Sequence, residues 1–456
     1  MRGSAWVLVA CAACGSVGSR STDAPGDDRP PGTVRWARSL SSLEALGVAD
    51  GPGGLVVTGA ISAPANLGGD TLVPMGVFDQ VIAGFDAADA AHLYSVRHGA
   101  PGTAQEFGFL HHVDEQGSPL IYGVSYGAKV DLGQGLVDGG GGPGADGYIG
   151  RYATGNASWI KRIVGPGEDK IIASAPGPGS TIYGAGWFEG TTMFEGTMLT
   201  SANRDAFVAR FNTFTGDVDL MKQYGGPGRD EISSAASAGG NLFLAGMFDD
   251  TLALGGSAPA IIAAGSLDVW VGKLDSQGDG VWAVRFGGAD EDRDPRLAVD
   301  AAGDVYVAGQ FHGQVAFGAV NLIASGGADV FVAKLHGTDG SVAWAISIGS
   351  TGDDRVGDIA VDAAGHAVIA GTVAGPIDGG GSMGGSDAVL ASFDSATGSS
   401  RWRTVYSTAG GDSGSAVTYG RDGDLYACVG IGGDIDLGTP IIGAAAPAAV
   451  LLRIVP

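Results

Sequence analysis

Two neighbouring stretches decide the fold: WAVRFGGADEDRDPRLAVDAAGDVYVAGQF from Trp282 to Phe311, and WAISIGSTGDDRVGDIAVDAAGHAVIAGTV from Trp344 to Val373. The same pattern, headed by a large residue, recurs along the whole chain. The heading residues, separated by 58, 65, 61, 62, 62 and 58 positions, are Trp36, Tyr94, Trp159, Leu220, Trp282, Trp344 and Trp402. Self-similarity at a nearly fixed period is typical of repeat architectures. The chain therefore contains seven units.

Each unit contains four short apolar runs bounded by Gly, Asp, Asn or Ser, which is typical of strands. In the fifth unit the runs are Trp282–Phe286, Leu297–Asp300, Val305–Ala308 and Val330–Leu335. Glycine recurs every few residues and disfavours helices. Runs such as Val305–Ala308 are apolar on both faces, as in strands covered by sheets on either side. The pattern predicts an all-β, seven-bladed β-propeller of four-stranded antiparallel blades; a solenoid of seven units is the alternative.

The two ends of the repeat region favour a closed ring. The last unit ends at Pro456 without the Trp strand that should follow, whereas Thr33–Leu40 contains a Trp strand alone. We therefore predict that the N-terminal strand completes the last blade, so that residues 33–456 form one propeller without an edge strand. An open solenoid would not need to join its ends.

Three motifs follow the Gly-Gly turn after the Trp strand of the fifth unit: Ala-Val-Asp-Ala-Ala-Gly (298–303), Val-Tyr-Val-Ala-Gly (305–309) and Asp-Val-Phe-Val-Ala-Lys-Leu (329–335). They resemble the seven-bladed β-propeller repeat family of bacterial secreted and surface proteins. The resemblance covers essentially Thr33 to Pro456 and implies a scaffold without a shared catalytic residue. The Thr-Gly turn before Trp402 is also similar to repeats of quinoprotein dehydrogenases and of outer-membrane assembly propeller lipoproteins. No adjacent cysteine pair supports a quinone site.

The first residues indicate export. Arg2 precedes an apolar stretch that ends at Ala10, and Leu8-Val9-Ala10-Cys11 resembles a bacterial lipobox. We predict a lipoprotein signal peptide over 1–10, lipidation of Cys11 and a flexible tether over 11–32, rich in Ser, Gly, Asp and Pro. The residue after Cys11 is not Asp, which by the rule for such lipoproteins indicates the bacterial outer membrane or cell surface. The alternative is a cleaved signal and a secreted or periplasmic protein.

The charge of the chain excludes several partners. It has 25 Lys and Arg against 49 Asp and Glu, a formal net charge of −24. Such a surface repels phosphate, so we expect no nucleic-acid binding and membrane contact only through the lipid anchor. Three cysteines exclude a disulfide framework. We expect a monomer.

Recurring aspartates fall on one face of the predicted ring, which receives the loops after the Trp strands and the long Gly-rich loops. They could bind Ca²⁺, which takes six to eight oxygen ligands, or cap turns by accepting backbone N–H groups. Their recurrence in nearly every blade favours capping, and the seventh unit departs with Ala448. The first row, ten positions after the heading residue, is Asp169, Asp230, Asp292, Asp354 and Asp412; the second row, at the start of the last strand, is Asp79, Asp146, Asp205, Asp268, Asp329 and Asp387.

The chain shows no spacing of catalytic or metal-ligating residues, since its seven histidines form no His-x-x-x-His or Cys–His pattern. We therefore predict a non-catalytic cell-surface scaffold that recognises a protein or glycan through the loop-rich, acidic face. We predict no cofactor, with Ca²⁺ as the open possibility. The alternatives are a channel-site enzyme, such as a polysaccharide hydrolase or lyase, and a purely structural envelope lipoprotein.

Overall fold

The computed structural model describes residues 29–139, 144–377, 385–442 and 449–456. The predicted signal peptide, Cys11, the tether up to residue 28 and Ala448 lie outside these ranges. Within them, every regular element is a β-strand. No helix in this part of the chain is long and apolar enough to cross a membrane.

The strands follow one another blade by blade along the chain. The chain begins with β1 (Val34–Ser39). The first blade comprises β2 (Leu43–Gly51), β3 (Gly54–Ile61), β4 (Asp79–Phe85) and β5 (His92–His98), and the second comprises β6 (Gln105–Val113), β7 (Pro119–Tyr126), β8 (Lys129–Asp131), β9 (Leu136–Asp138), β10 (Asp146–Ala153) and β11 (Asn156–Ile163). The third comprises β12 (Asp169–Pro176), β13 (Thr181–Phe194), β14 (Thr197–Asn212) and β15 (Val218–Tyr224). The fourth blade comprises β16 (Asp230–Ala238), β17 (Asn241–Phe248), β18 (Thr251–Leu252), β19 (Ile261–Ile262), β20 (Asp268–Leu274) and β21 (Gly280–Phe286). The fifth comprises β22 (Arg293–Val299), β23 (Val305–Phe311), β24 (Gln314–Phe317), β25 (Val320–Ile323), β26 (Asp329–Leu335) and β27 (Val342–Ile348). The sixth comprises β28 (Arg355–Val361), β29 (Ala367–Val373), β30 (Asp387–Phe393) and β31 (Ser400–Tyr406). The seventh comprises β32 (Ser413–Tyr419), β33 (Leu425–Gly430), β34 (Ile441–Ile442) and β35 (Ala449–Ile454).

Seven antiparallel sheets arrange these strands as a β-propeller, which confirms the predicted fold. Six sheets have the strand orders β2-β3-β4-β5, β6-β7-β10-β11, β12-β13-β14-β15, β16-β17-β20-β21, β22-β23-β26-β27 and β28-β29-β30-β31. The first strands of successive blades contact one another around the ring, and β2 contacts β32 to close it. In each blade the first strand is therefore innermost and the fourth is outermost.

The N-terminal strand closes the ring as predicted. β1 pairs antiparallel with β35, with Ala37 opposite Leu452, and serves as the fourth strand of the seventh blade. The backbone N–H of Gly32 donates to the Val455 carbonyl at 2.8 Å, and the Val455 N–H donates to Thr33 at 2.9 Å. The short strand β34 runs parallel to the other side of β1. The two ends of the propeller thus replace the turn that joins the third and fourth strands elsewhere.

The heading residue of each unit lies on an outermost strand and packs against the last turn of the next blade. The Trp282 indole N–H donates to the Gly337 carbonyl at 3.2 Å. Gly340 of the same turn has φ +74°, and a Cβ there would lie 2.9 Å from the Trp282 ring. At the closure, Gly32, with φ +82°, lies against Trp402 in the same way. The repeated tryptophan therefore joins neighbouring blades, which explains its period.

Two faces of the ring differ in their loops. Turns between the first and second strands and between the third and fourth strands are short, and we call that side the tight-turn face. The opposite side, the loop-rich face, receives the connections between blades and the long connections between the second and third strands. Three of these long connections contain a hairpin that the sequence analysis did not predict, namely β8–β9, β18–β19 and β24–β25.

Candidate functional site

All eleven predicted aspartates are buried at the loop-rich ends of the blades. The two rows lie at one level of each sheet, because Asp230 and Asp268 both pair with Phe248 of the strand between them. Glu106 and Asp146 flank Ser125 in the same way. Glu106 is therefore a further member of the first row. Glu106 does not fit the row as predicted from the sequence, because it is a glutamate and lies twelve positions after Tyr94 instead of ten.

Most of these carboxylates accept hydrogen bonds from the turn beside them. Asp412 accepts the Thr408 N–H at 2.6 Å, the Thr408 hydroxyl at 2.9 Å and the Gly432 N–H at 2.7 Å. Asp79 accepts the backbone N–H groups of Met75 at 2.7 Å and Gly76 at 2.9 Å. These are the contacts of turn capping.

Calcium binding by the two rows stays an open alternative to the predicted turn capping. Within the described ranges, no group of three or more His, Cys, Asp or Glu side chains is placed to hold a metal ion. Four carboxylate oxygens of the rows are buried without a hydrogen-bond partner: Oδ1 of Asp230, Asp268 and Asp329, and Oε2 of Glu106. Turn capping therefore leaves some of the carboxylate oxygens without a hydrogen bond.

Burial raises the pKa of several of these acids because it disfavours the charged form. It raises the pKa of Asp230 to about 7, and the nearby Asp205 adds to the effect. It raises the pKa of Glu106 to about 8, with a smaller contribution from Asp79 of the preceding blade. The pKa rises to about 6 for Asp146, Asp169 and Asp292. Near neutral pH the carboxyl of Glu106, and in part that of Asp230, therefore holds a proton that the unfolded chain would release.

A cavity of about 720 Å³ lies on the loop-rich face at the inner ends of the fifth, sixth and seventh blades. Its wall combines the first strands β22, β28 and β32 with the ends of β23 and β29. Three arginines line it, Arg293, Arg296 and Arg355, together with Asp294 and Asp353. The cavity wall is thus rich in cations on a protein that carries about two acids for each base, a feature that the sequence analysis did not predict.

Local backbone geometry places two of these side chains. Every innermost strand contains a β-bulge, and the bulge of β22 lies between Arg293 and Arg296. It contains Pro295, which cannot donate to the ladder, and Asp294, whose φ of +50° lies in the left-handed region. Asp294 Oδ2 accepts the side-chain amide of Gln310 at 3.1 Å. Bulges re-aim side chains, and this one brings Asp294 into the cavity wall.

Arg296 is 1% exposed and bridges two blades. Its Nε donates to the Gly357 carbonyl of the sixth blade at 3.1 Å, and its Nη1 donates to the Pro295 carbonyl at 3.1 Å. Strand register places Ser234, Asp358 and Ala416 at the same position in the fourth, sixth and seventh blades. The buried guanidinium is therefore a departure from the repeat.

The remaining lining is mostly polar. Asp353 Oδ1 accepts the Ala328 N–H at 3.1 Å, which fixes one carboxylate oxygen at the rim. Hydroxyls come from Thr372, Ser413 and Ser415. The cavity thus presents guanidinium groups that donate hydrogen bonds, carboxylates that accept them and hydroxyls that can donate or accept.

No protein-family model matches the chain, and no curated protein matches its sequence. Among solved structures, the quinohemoprotein alcohol dehydrogenase of Comamonas testosteroni is 12% identical, with 92% of this chain and 76% of that chain covered and a TM-score of 0.41. BamB from Moraxella catarrhalis is 12% identical, with 92% and 97% covered and a TM-score of 0.37. A polysaccharide lyase of family PL25, an ulvan lyase bound to -[GlcA(1-4)Rha3S]-, is 10% identical, with 93% and 94% covered and a TM-score of 0.47. Likenesses this remote carry no argument about activity, and the propeller assignment rests on the blade topology above.

Proposed function

We propose that the protein is a non-catalytic binding protein of the bacterial cell envelope that recognises a protein or glycan through its loop-rich face. The cavity carries this proposal, because it lies on that face and its volume is in the range of small-ligand sites. Strands of three blades form its wall, so a ligand would contact rigid elements of the ring.

The hydrogen bonds of the wall support binding. Arg296, Asp294 and Asp353 are each held by a hydrogen bond within the protein. Side chains fixed in this way are preorganised for a ligand, which reduces the entropy lost on binding.

A channel-site hydrolase or lyase is the second candidate, and it would use the same cavity. Asp294, Asp353 and His312 are the lining groups that could transfer protons. His312 Nδ1 lies 2.6 Å from the Glu291 carbonyl oxygen, a contact that fixes the ring and its tautomer. Turnover of a bound polysaccharide would favour this candidate over simple binding.

Display at the envelope is part of the proposal. We propose that Cys11 carries the lipid anchor and that the tether up to residue 32 holds the propeller at the bacterial outer membrane or cell surface. The expected result is that the full chain, expressed in a bacterium, partitions into the detergent phase of a phase-separating detergent, whereas Cys11→Ser partitions into water. Equal partitioning of the two chains would contradict the anchor.

The binding function is tested with a substitution that fills the cavity without changing charge. Ser413 lines the cavity and is exposed at the start of β32. Ser399 is exposed in a turn of the tight-turn face and provides the matched control. Retention of the full chain on immobilised envelope polysaccharides and envelope proteins should be lost in Ser413→Trp and kept in Ser399→Trp, with unchanged melting temperatures for both. Retention of Ser413→Trp would contradict the site, and release of shortened saccharides by the unsubstituted chain would favour the enzyme.

A further inference from the structure

The charge of the cavity wall differs from that of the protein. The chain as a whole has 25 basic and 49 acidic side chains, whereas three arginines and two aspartates line the cavity. Guanidinium groups pair with carboxylate and sulfate groups through parallel N–H donors, a geometry that an ammonium group lacks. Glu291 already pairs with Arg293, but the wall still has a higher share of guanidinium groups than the protein as a whole, which favours an anionic group there over the acidic surface around it.

Two features of β22 show that this wall carries a cost in stability. Burial of a guanidinium loses its hydration, which the hydrogen bonds of Arg296 to the Gly357 and Pro295 carbonyls offset in part. The fourth, sixth and seventh blades have Ser234, Asp358 and Ala416 at the same position. Asp294 beside it adopts a left-handed backbone, a conformation that residues other than Gly adopt infrequently and that Asp tolerates better than most. Strained residues persist where the surrounding structure holds them, and they cluster at binding sites.

The rest of the lining indicates which anion-bearing ligand fits. Asp294 and Asp353 can accept hydrogen bonds from hydroxyl groups, and three hydroxyl side chains line the same cavity. Among the lining residues that the structure describes, only Ala328 and Val356 present apolar side chains. A peptide segment would need apolar pockets for its anchoring side chains, whereas a saccharide needs alternating donors and acceptors.

We infer that the cavity binds an acidic saccharide, with Arg293 and Arg355 at the rim holding its carboxylate or sulfate group and Asp294 and Asp353 accepting its hydroxyl groups. Arg296, which is buried and donates to two backbone carbonyls, supports the wall behind them. This inference rests on the proposed binding function and specifies its ligand class. The cavity volume lies in the range of small-ligand sites, so we expect it to hold a short saccharide segment.

The test is isothermal titration of the full chain with three probes: trigalacturonate, a sulfated uronate disaccharide and neutral maltotriose. At least one acidic probe should bind, and maltotriose should not. Arg355 and Arg421 are both exposed, on the loop-rich and tight-turn faces respectively. Loss of charge-assisted hydrogen bonds in Arg355→Gln should weaken binding at least about 10-fold, while Arg421→Gln should leave it unchanged. The two acidic probes distinguish a carboxylate ligand from a sulfate ligand.

Other outcomes overturn the inference in distinguishable ways. Equal binding of maltotriose, or equal affinities of Arg355→Gln and Arg421→Gln, would exclude recognition of the anionic group by this wall. If no saccharide binds but Ser413→Trp still abolishes retention on an envelope protein, the ligand class is wrong and the proposed binding function stands. If neither saccharides nor envelope components bind, both are wrong. Raising the salt concentration from about 50 to 500 mM should weaken acidic binding more in the unsubstituted chain than in Arg355→Gln.

Discussion

We expect Glu106 to make the stability of the protein dependent on pH. Its Oε1 accepts the backbone N–H groups of Ala100 at 3.1 Å and Asp131 at 3.2 Å, while Oε2 is buried without a hydrogen-bond partner. Burial raises its pKa to about 8, so the folded protein keeps this carboxyl protonated at neutral pH. Glu106→Gln replaces it by a neutral group of the same shape whose Oε1 can accept the same two hydrogen bonds.

The sign of the effect follows from linkage. The pKa of Glu106 is higher in the folded state than in the unfolded chain, so its contribution to stability is complete below about pH 4.5 and is lost as the pH rises through about 8. Each pKa unit corresponds to about 1.4 kcal/mol, which sets an upper limit of about 5 kcal/mol. Relaxation of the blade and coupling to Asp79 reduce this, and we expect about 2 to 3 kcal/mol. Glu106→Gln should remove this loss.

Urea denaturation of the unsubstituted chain and of Glu106→Gln at pH 5, 7 and 9 measures the difference. The difference in the free energy of unfolding should change by about 2 to 3 kcal/mol in favour of Gln between pH 5 and pH 9. Glu115→Gln provides the control, because Glu115 is exposed in the turn between β6 and β7 of the same blade. Its effect on the free energy of unfolding should be the same at all three pH values. A difference for Glu106→Gln that is the same at pH 5 and pH 9 would refute the assignment of a protonated, buried carboxyl.

Substitutions of Trp282 and Gly340, one deletion and one titration test the ring itself. Trp282→Ala should lower the free energy of unfolding by about 3 to 5 kcal/mol, whereas Trp282→Phe, which loses the hydrogen bond to Gly337, should cost about 1 kcal/mol beyond its change in packing; denaturant unfolding decides both. Gly340→Ala should destabilise by at least about 1 kcal/mol more than Gly303→Ala, because both glycines have positive φ but only Gly340 lies against a tryptophan ring; equal losses would contradict the packing. Deletion of 33–40 should lower the melting temperature, because it removes β1 from the last blade, and a synthetic peptide of that sequence should restore it; an unchanged melting temperature would contradict closure by this strand. Excess Ca²⁺ should leave the melting temperature equal to that in EDTA, because the aspartate rows are engaged in capping; a rise matching the roughly 2.7 kcal/mol expected at 100-fold over Kd would establish calcium sites.

The fold was predictable because the same pattern of apolar runs and turns recurs in the sequence of each blade. Trp282, Trp344 and Trp402 mark outermost strands, and a pattern found seven times outweighs the irregular second and seventh units. The closure was predictable for the same reason, since the repeat predicts a fourth strand that the C-terminus lacks and Thr33–Leu40 supplies.

The cavity was not predictable, because it depends on how three blades meet. Arg293, Arg355 and Ser413 are far apart in sequence and line one cavity only because ring closure fixes the distance between β22, β28 and β32. The conformation of Asp294 depends on a bulge in β22 that no composition or periodicity indicates. Glu106 was missed for a simpler reason, since a search for aspartate at one spacing does not recognise a glutamate displaced by two positions.

Residues that recur in most blades of this ring serve its stability, whereas residues that depart from the repeat are the candidates for ligand recognition. A residue that recurs in most blades, such as a capping aspartate or an outermost tryptophan, is explained by the folding of each blade and needs no ligand. Arg296 has no such explanation, because the fourth and seventh blades form the same bulged first strand with Ser234 and Ala416 at its position. The fold of a single blade therefore does not require a guanidinium at this position, although in this blade the guanidinium also bridges to the Gly357 carbonyl of the sixth blade. The departures from the repeat in β22, rather than the rows that the repeat makes conspicuous, are where recognition of a ligand should be sought.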